Sequence, residues 1–304
     1  MPTFDSQNPP RISHVDYNTI RDKVASILGT GSATRGYGQQ LQSTPVAQGN
    51  TITKAQWDAL RYDIINIKVH QDGTTPVVAE VPANDPIRYG AGNPNTNFDS
   101  IINQALLTRF NLGGGQSVVS SKGAMVYTSA WSTQAQAEFT VTFSTADQAR
   151  YFFNSGSKLR VSTTRTGGSS TNQNGAWSNL FSSVGTQSFG AATPVNKNFY
   201  TLTNSYDDNI FYELFSSTPY SANSYELSAK CNVSNNSQGT ATQVSIRIRM
   251  YDRYVDLGPP QPGDTVDGTL TIAVDEIKAS GVLLPSGNFT VSSPTYSLST
   301  VVAN

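Results

Sequence analysis

The stretch YELSAKCNVSNNSQGTATQVSIRIRM, residues 225–250, decides the fold class of this chain of 304 residues. Apolar and polar residues alternate in its first part, 225–233, and again in its second part, 243–250. Alternation with a period of two is typical of strands that bury one face. Because the turn-forming cluster SNNSQG (234–239) separates the two parts, we predict an antiparallel β-hairpin.

The same reading predicts further strands on both sides of the hairpin. Residues 138–143 alternate in the same way, and a short helix is predicted at about 145–153. Other strands are predicted near 158–164, 198–204, 269–275 and 288–293. Seven or more short strands separated by turn residues are typical of an antiparallel β-sandwich, of the jelly-roll or immunoglobulin-like kind. We therefore predict a mainly β chain with this sandwich in its C-terminal part.

The N-terminal part follows a helical period instead and predicts a small α-helical module. Ser13 and Thr53 each precede an apolar helical pattern, with Asp16 and Gln56 three positions later, which is the pattern of a capping box. A third helix is predicted at about 98–110. Three short helices joined by long loops bury little surface, so we hypothesise that neighbouring subunits complete this module.

Three consecutive glycines at 113–115 mark the change from one period to the other. The predicted organisation has four parts. They are a helical anchoring module at 1–112, a linker at 113–122, the β-sandwich at 123–257, and a terminal β segment at 258–304 that joins the sandwich or follows it.

The composition excludes several functional classes. Only 13% of the residues are charged and the net charge is −1, while serine, threonine and asparagine make up nearly a third of the chain. This leaves no basic surplus for a phosphate backbone, so we expect no direct nucleic-acid binding. No apolar run reaches about 18 residues, so we expect no membrane insertion. The N-terminal residues also lack the basic and apolar regions of a secretory signal.

The residue types that carry catalysis form no recognisable constellation. The single cysteine, Cys231, lies on the inward side of a predicted strand, and there are only two histidines and no G-x-S-x-G motif. We therefore predict no enzyme activity, no catalytic residue, no cofactor and no metal site. Carboxylates in loops can bind calcium, but acidic residues are also common in turns. We interpret two acidic pairs as ordinary turn residues: Asp207 with Asp208, and Asp264 with Asp267.

Short words along the chain are similar to those of one group of proteins. In the first half they are RGYGQ (35–39), WDALRYDI (57–64) and VHQDG (69–73). Further along they are TADQARYFFNSGSKLRVS (145–162), WSNLF (177–181), SFG (188–190), YELSAKCNVSNNSQG (225–239) and DGTL (267–270). Together they resemble virion structural proteins of tailed phages of marine cyanobacteria.

The resemblance implies a non-enzymatic component of a phage virion, in the tail, the neck or the fibre-bearing apparatus. Its partners would be other virion proteins and copies of itself, and its location would be the virion, after synthesis in the host cytoplasm. The candidate assembly residues are Arg35, Tyr37, Trp57, Tyr62 and His70. His70 is also interpreted as a cap, because an imidazole near a helix end can meet exposed carbonyl groups.

Alternative functions stay open at this point. The sandwich can serve as a module that recognises a host-surface glycan, with flat aromatic faces against sugar rings. The candidates for this are Trp131, Trp177, Tyr206, Tyr212, Tyr220 and Tyr225. A capsid decoration protein is a second alternative, and a polysaccharide depolymerase is a third. Arg247, Arg249 and Arg253 are the nearest thing to a basic patch. We interpret them as a solvated strand face, with a polar protein interface as the alternative.

Overall fold

The computed structural model describes residues 11–78, 80–82, 84–87, 97–192, 197–206, 209–216, 218–254, 265–280 and 289–304. Within these residues the helices are α1 (His14–Leu28), α2 (Lys54–Asp72), α3 (Asn97–Leu107), α4 (Ala146–Asn154) and α5 (Asn172–Val184). The strands are β1 (Ser117–Tyr127), β2 (Gln134–Thr142), β3 (Lys158–Thr166), β4 (Thr186–Phe189), β5 (Asn209–Leu214), β6 (Ser224–Cys231), β7 (Gln243–Tyr251), β8 (Thr269–Ala279), β9 (Thr295–Leu298) and β10 (Val302–Ala303).

The chain forms two compact units, and each takes residues from separate parts of the sequence. The first unit combines residues 1–118, 150–157 and 279–292, and the second combines 119–149, 158–278 and 293–304. This division differs from the contiguous domains expected from the sequence. The expected linker at 113–122 also differs, because β1 begins at Ser117.

The first unit contains the three helices predicted for the N-terminal part, and their caps are those read from the sequence. The hydroxyl of Ser13 accepts a hydrogen bond from the backbone N–H of Asp16 at 3.2 Å, and the Asp16 carboxylate accepts one from the N–H of Ser13 at 3.0 Å. Thr53 and Gln56 form the same reciprocal pair at the start of α2. These bonds satisfy N–H groups that a helix leaves free at its N-terminus.

Later parts of the chain complete the core of the first unit. The side-chain amide of Asn154, at the end of α4, donates to the carbonyl groups of Ala33, Arg35 and Gly36. Gln39 exchanges two hydrogen bonds with the backbone of Thr290, at 2.9 and 3.0 Å. Segments of the same chain therefore contribute contacts to the first unit.

The second unit contains two antiparallel sheets, which confirms the prediction of a mainly β chain. The smaller sheet has the order β1-β8-β3-β4, and the larger has the order β10-β2-β7-β6-β5, with β9 also paired to β2. The predicted hairpin is confirmed, since Cys231 of β6 pairs with Val244 of β7 beside the turn. The hydroxyl groups of Thr163 in the smaller sheet and Tyr225 in the larger lie 2.9 Å apart and are buried. The two sheets therefore face each other as in a sandwich.

Two strand predictions are wrong. Residues 198–204 contain a 3-10 turn at Phe199–Thr201, capped by Asn198, instead of a strand. The two consecutive rings of Phe199 and Tyr200 are both buried, which an alternating strand does not allow. Residues 289–293 contain no strand either, and residue 288 lies outside the described residues.

Candidate functional site

The outer face of the larger sheet carries a cluster of basic, aromatic and acidic side chains. We call it the arginine–tyrosine face, and it consists of Arg247, Arg249, Arg253, Lys230, Tyr206, Tyr251, Glu138 and Glu226. It arises from the alternation within β7, where Val244, Ile246 and Ile248 are at most 1% exposed in the sandwich core. The residues between them must point to the opposite face of the sheet.

The strand register places one row of residues across the whole sheet. Tyr212 of β5 pairs with Glu226 of β6, which pairs with Arg249 of β7. Arg249 pairs in turn with Gln136 of β2, and Gln136 pairs with Val302 of β10. The two ends of the row are open, because Tyr212 is 45% exposed and Val302 is 68% exposed. The row thus has a polar centre and exposed apolar or aromatic ends.

Glu226 is the acidic centre of the arginine–tyrosine face. Its carboxylate lies 3.2 Å from Nη2 of Arg249 and 3.7 Å from Nη2 of Arg253. Arg253 also donates from Nη1 to the hydroxyl of Ser224 at 2.6 Å. Glu226 is only 7% exposed, so its carboxylate depends on these two guanidinium groups for compensation.

Two tyrosine rings hold the basic groups in place. The guanidinium carbons of Arg253 and Arg249 lie 4.6 and 5.3 Å from the centre of the Tyr251 ring. The guanidinium of Arg247 lies 4.0 Å from the centre of the Tyr206 ring, and Nζ of Lys230 lies 4.6 Å from it. Cations over aromatic rings are attracted by the electron-rich ring face. Burial and the nearby Glu138 carboxylate raise the pKa of Tyr206, so this ring stays neutral.

The face combines unpaired buried polar atoms with a surplus of positive charge. Nε of Arg247, Nε of Arg249 and the hydroxyl of Ser228 are buried and have no hydrogen-bond partner within the described part of the chain. A buried polar group without a partner costs about 1–3 kcal/mol. Four basic side chains on the face stand against two acidic ones, a surplus of two positive charges in a chain of net charge −1. The surplus of positive charge, and not the three buried atoms, makes the face suited to carboxylate and carbonyl groups of another molecule.

A polar groove borders the face where β9 and β10 both lie beside β2. Its volume is about 330 Å³, and its walls include Gln136, Glu138, Thr140, Ser297 and Ser299. Ser299 closes one side, because its N–H donates to the carbonyl of Glu138 and its hydroxyl accepts from the N–H of Glu138. Hydroxyl and amide groups in such a groove can bind a polar chain segment at modest desolvation cost.

The five candidate assembly residues all belong to the first unit, and three of them lie in its interior. Tyr37 is 1% exposed, while Trp57 and His70 are fully buried. Tyr37 donates its hydroxyl hydrogen to the carbonyl of Arg109 at 2.5 Å, and Trp57 stacks on Phe98 at 4.4 Å. These three side chains hold the first unit together and offer no surface to another molecule.

The other two candidates are at the surface. Tyr62 is 42% exposed, and the Arg61 guanidinium lies 5.7 Å from the centre of its ring. Arg35 is exposed on the loop that Asn154 holds. They remain candidates for contact with a partner.

The expected capping role of His70 is wrong. Nε2 of His70 lies 2.8 Å from the carbonyl oxygen of Ser155, outside its own helix, and must carry the hydrogen of this bond. Its ring packs between Tyr37 and Phe289, at centroid distances of 4.9 and 4.4 Å. Burial lowers the pKa of His70 to about 4, so the imidazole is neutral and does not interact with the helix dipole as a cation.

The structure also places the residues of the alternative functions. Four aromatic candidates for sugar binding are at most 4% exposed in the second unit: Trp131, Trp177, Tyr220 and Tyr225. Of the acidic turn residues, Asp267 accepts hydrogen bonds from the N–H of Ser169 and from Arg165, and these donors lower its pKa. Asp207, Asp208 and Asp264 lie outside the described residues.

Sequence reasoning missed the acidic partner of the arginines. Arg247, Arg249 and Arg253 were recognised as a patch, but Glu226 was not connected with them. The signal was present, because the alternation that points Tyr225 and Leu227 inward points Glu226 outward. Pairing the two strands of the predicted hairpin across the 234–239 turn would have placed Glu226 opposite Arg249.

Comparison with known proteins finds no family model, no curated protein and no solved structure that matches this chain. Among the residues that the structure describes, no helix is both long enough and apolar enough to cross a membrane. No group of three or more His, Cys, Asp or Glu side chains in the same residues is placed to hold a metal ion.

Proposed function

We propose that the chain is a non-enzymatic structural protein of a tailed-phage virion, in the tail, neck or fibre-bearing apparatus, and that it assembles through the arginine–tyrosine face. In this proposal the second unit is a jelly-roll or immunoglobulin-like sandwich that displays the face. The virion assignment rests on the sequence resemblance. The assembly role rests on one observation, the surplus of two positive charges on the outer face of the larger sheet.

The chemistry of the face favours a protein partner. Arginine and tyrosine are enriched at the centres of protein interfaces, where a partner excludes water from them. Arg247 makes no ion pair within the described residues, so an incoming carboxylate can bind it without displacing a resident one. The proposed partner is an acidic, carbonyl-rich surface of another virion protein. A glycan platform is less well supported, because four of its six aromatic candidates are buried.

The two parts of this proposal are tested together in phage particles that encode the chain. Quantitative mass spectrometry of gradient-purified particles measures the number of copies per particle. We expect a fixed copy number for the natural chain and at least a tenfold loss for Arg247→Glu. Lys158→Glu, the same charge reversal on the smaller sheet, is the matched control and should leave the copy number unchanged.

The outcomes separate the virion assignment from the assembly role. Absence of the natural chain from purified particles would contradict the virion assignment. A natural copy number in the Arg247→Glu particles would contradict the role of the face while leaving the virion assignment standing. Immunogold labelling on the capsid instead of the tail would contradict the tail, neck or fibre location and indicate a capsid decoration protein.

A further inference from the structure

Strand β1 forms an end of the smaller sheet and has an open edge. It contains eleven residues, SVVSSKGAMVY, and pairs with β8 on one side. Among the described residues, no strand pairs with its other side. Val118, Val119 and Val126 on this strand are 49%, 50% and 53% exposed. The backbone groups of an exposed strand edge can pair with a strand of another chain.

The alternation of inward and outward side chains along β1 shifts by one residue at Gly123. Nζ of Lys122 lies 3.5 Å from the Glu276 carboxylate and 5.3 Å from the centre of the Tyr296 ring, so Lys122 points into the sandwich. Met125, three positions later, is also buried. Two inward residues with an odd spacing require one extra residue, and Gly123 accommodates it with a φ of 115°.

This shift determines which backbone groups face the open edge. The carbonyl of Gln116 accepts from the N–H of Ser280, so even-numbered residues before Gly123 turn their backbone groups toward the neighbouring strand. Before Gly123 the backbone groups of odd-numbered residues therefore face the open edge. After Gly123 those of even-numbered residues do. The edge thus presents the backbone groups of Val119 and Ser121 before Gly123, and of Ala124 and Val126 after it.

We propose that β1 pairs antiparallel with β1 of a second copy of this chain, about a two-fold axis between Lys122 and Gly123. In this register Val119 lies opposite Val126 of the second copy, and Ser121 lies opposite Ala124 of the second copy. All four of these residues have backbone groups on the open edge. Without the phase shift, this register would place a residue whose backbone groups point toward β8 opposite a residue whose backbone groups point toward the open edge.

The side chains are complementary in this register. Val119 meets Val126 near both ends of the paired region, and the small residues Ser121 and Ala124 meet nearer to its middle. Each Lys122 lies opposite a glycine and keeps its own Glu276, so no like charges are opposed. Ten paired residues extend over about 33 Å, and the two smaller sheets join into one continuous sheet. This pairing is independent of the arginine–tyrosine face, which belongs to the other sheet.

Sedimentation equilibrium of the full chain over a range of concentrations tests the pairing. We expect the natural chain to approach twice its mass of 32.6 kDa, and Val119→Lys to weaken the dimer at least tenfold. Val77→Lys, at a valine that is 92% exposed elsewhere, is the matched control and should dimerise as the natural chain does. A monomer at every concentration, or equal dimerisation of the two variants, would overturn the proposal.

Cysteine cross-linking tests the register even if Val119→Lys fails to fold. Val119→Cys and Val126→Cys are purified separately and then mixed under mild oxidation, with the buried Cys231 unchanged. The register predicts a disulfide-linked dimer in the mixture and none in either variant alone, because each new cysteine lies opposite the other position. Equal cross-linking in the single variants, or none in the mixture, would overturn the register.

Discussion

The environment of His70 predicts a loss of stability in acid that one substitution removes. In the folded protein the imidazole is enclosed by Tyr37 and Phe289, and Nε2–H donates to the Ser155 carbonyl. Nδ1 has no hydrogen-bond partner within the described residues. A second proton would therefore create a buried charge whose new N–H finds no acceptor there.

The magnitude follows from the two pKa values. An unfolded chain binds this proton with a pKa of about 6.5, whereas burial lowers the pKa of folded His70 to about 4. The difference corresponds to about 3 kcal/mol of unfolding free energy. The sign is fixed because only the unfolded chain binds the proton between these values. The full stability is present above about pH 6.5, declines as the pH falls to about 4, and does not fall further below that on account of His70.

Urea unfolding of the full chain at about pH 7 and about pH 4 measures this effect. His70→Gln keeps an N–H donor for the Ser155 carbonyl but cannot titrate. We expect the acid-induced loss of unfolding free energy to be about 3 kcal/mol smaller in this variant than in the natural chain. Carboxylates that titrate in the same pH range contribute equally to both losses, so their contribution cancels in the difference.

His14→Gln is the matched control, because His14 is the other histidine and is only partly buried. It should lose as much stability in acid as the natural chain does. Equal acid losses in His70→Gln and the natural chain would refute the reasoning, since they would show that His70 is protonated without cost in the folded state.

Three further predictions concern a loop, the arginine–tyrosine face and a turn. Gly38→Ala should destabilise the chain by about 2–4 kcal/mol in urea unfolding, because φ is 74° and the new Cβ would meet the Tyr151 ring. The control is Gly49→Ala. Gly49 has a φ of 84° but open space around it, so this substitution should cost about 1–2 kcal/mol. A similar cost for both would contradict a steric role of the ring. Glu226→Gln should lower the thermal unfolding free energy by about 1–3 kcal/mol, because two arginines lose their carboxylate, and an unchanged melting temperature would contradict this. In Asp267→Asn the unfolding free energy should decrease less below about pH 4 than it does in the natural chain, because hydrogen bonds lower the pKa of this carboxyl in the folded chain. Unchanged acid unfolding curves would refute this.

Local features of the fold could be predicted from the sequence. The two capping boxes, the strands of the central hairpin and the short helix α4 were found, because each depends on residues close together in the chain. Strand β1 was interpreted as part of a linker, since its glycine and its adjacent valines break the alternation. Helix α5 was missed because asparagine, glycine and serine give it a weak helical pattern.

Contacts between distant parts of the chain could not be predicted. Nothing near Tyr37 or His70 indicates that Phe289 packs against both, so their burial was not foreseen. For the candidate site, alternation placed Arg247 and Arg249 on one face. Their ring and carboxylate contacts required the register of three strands, which only the folded sheet supplies.

The bonds between Gln39 and Thr290 also constrain how the chain is made. These partners are separated by 251 positions, so they can meet only after the ribosome has synthesised all the residues between them. Part of the core of the first unit therefore stays uncovered in the nascent chain until the segment around Thr290 emerges. A prematurely terminated product would keep this exposed surface and remain accessible to chaperones and proteases. Synthesis of the segment around Thr290 is then a checkpoint in the folding of the first unit.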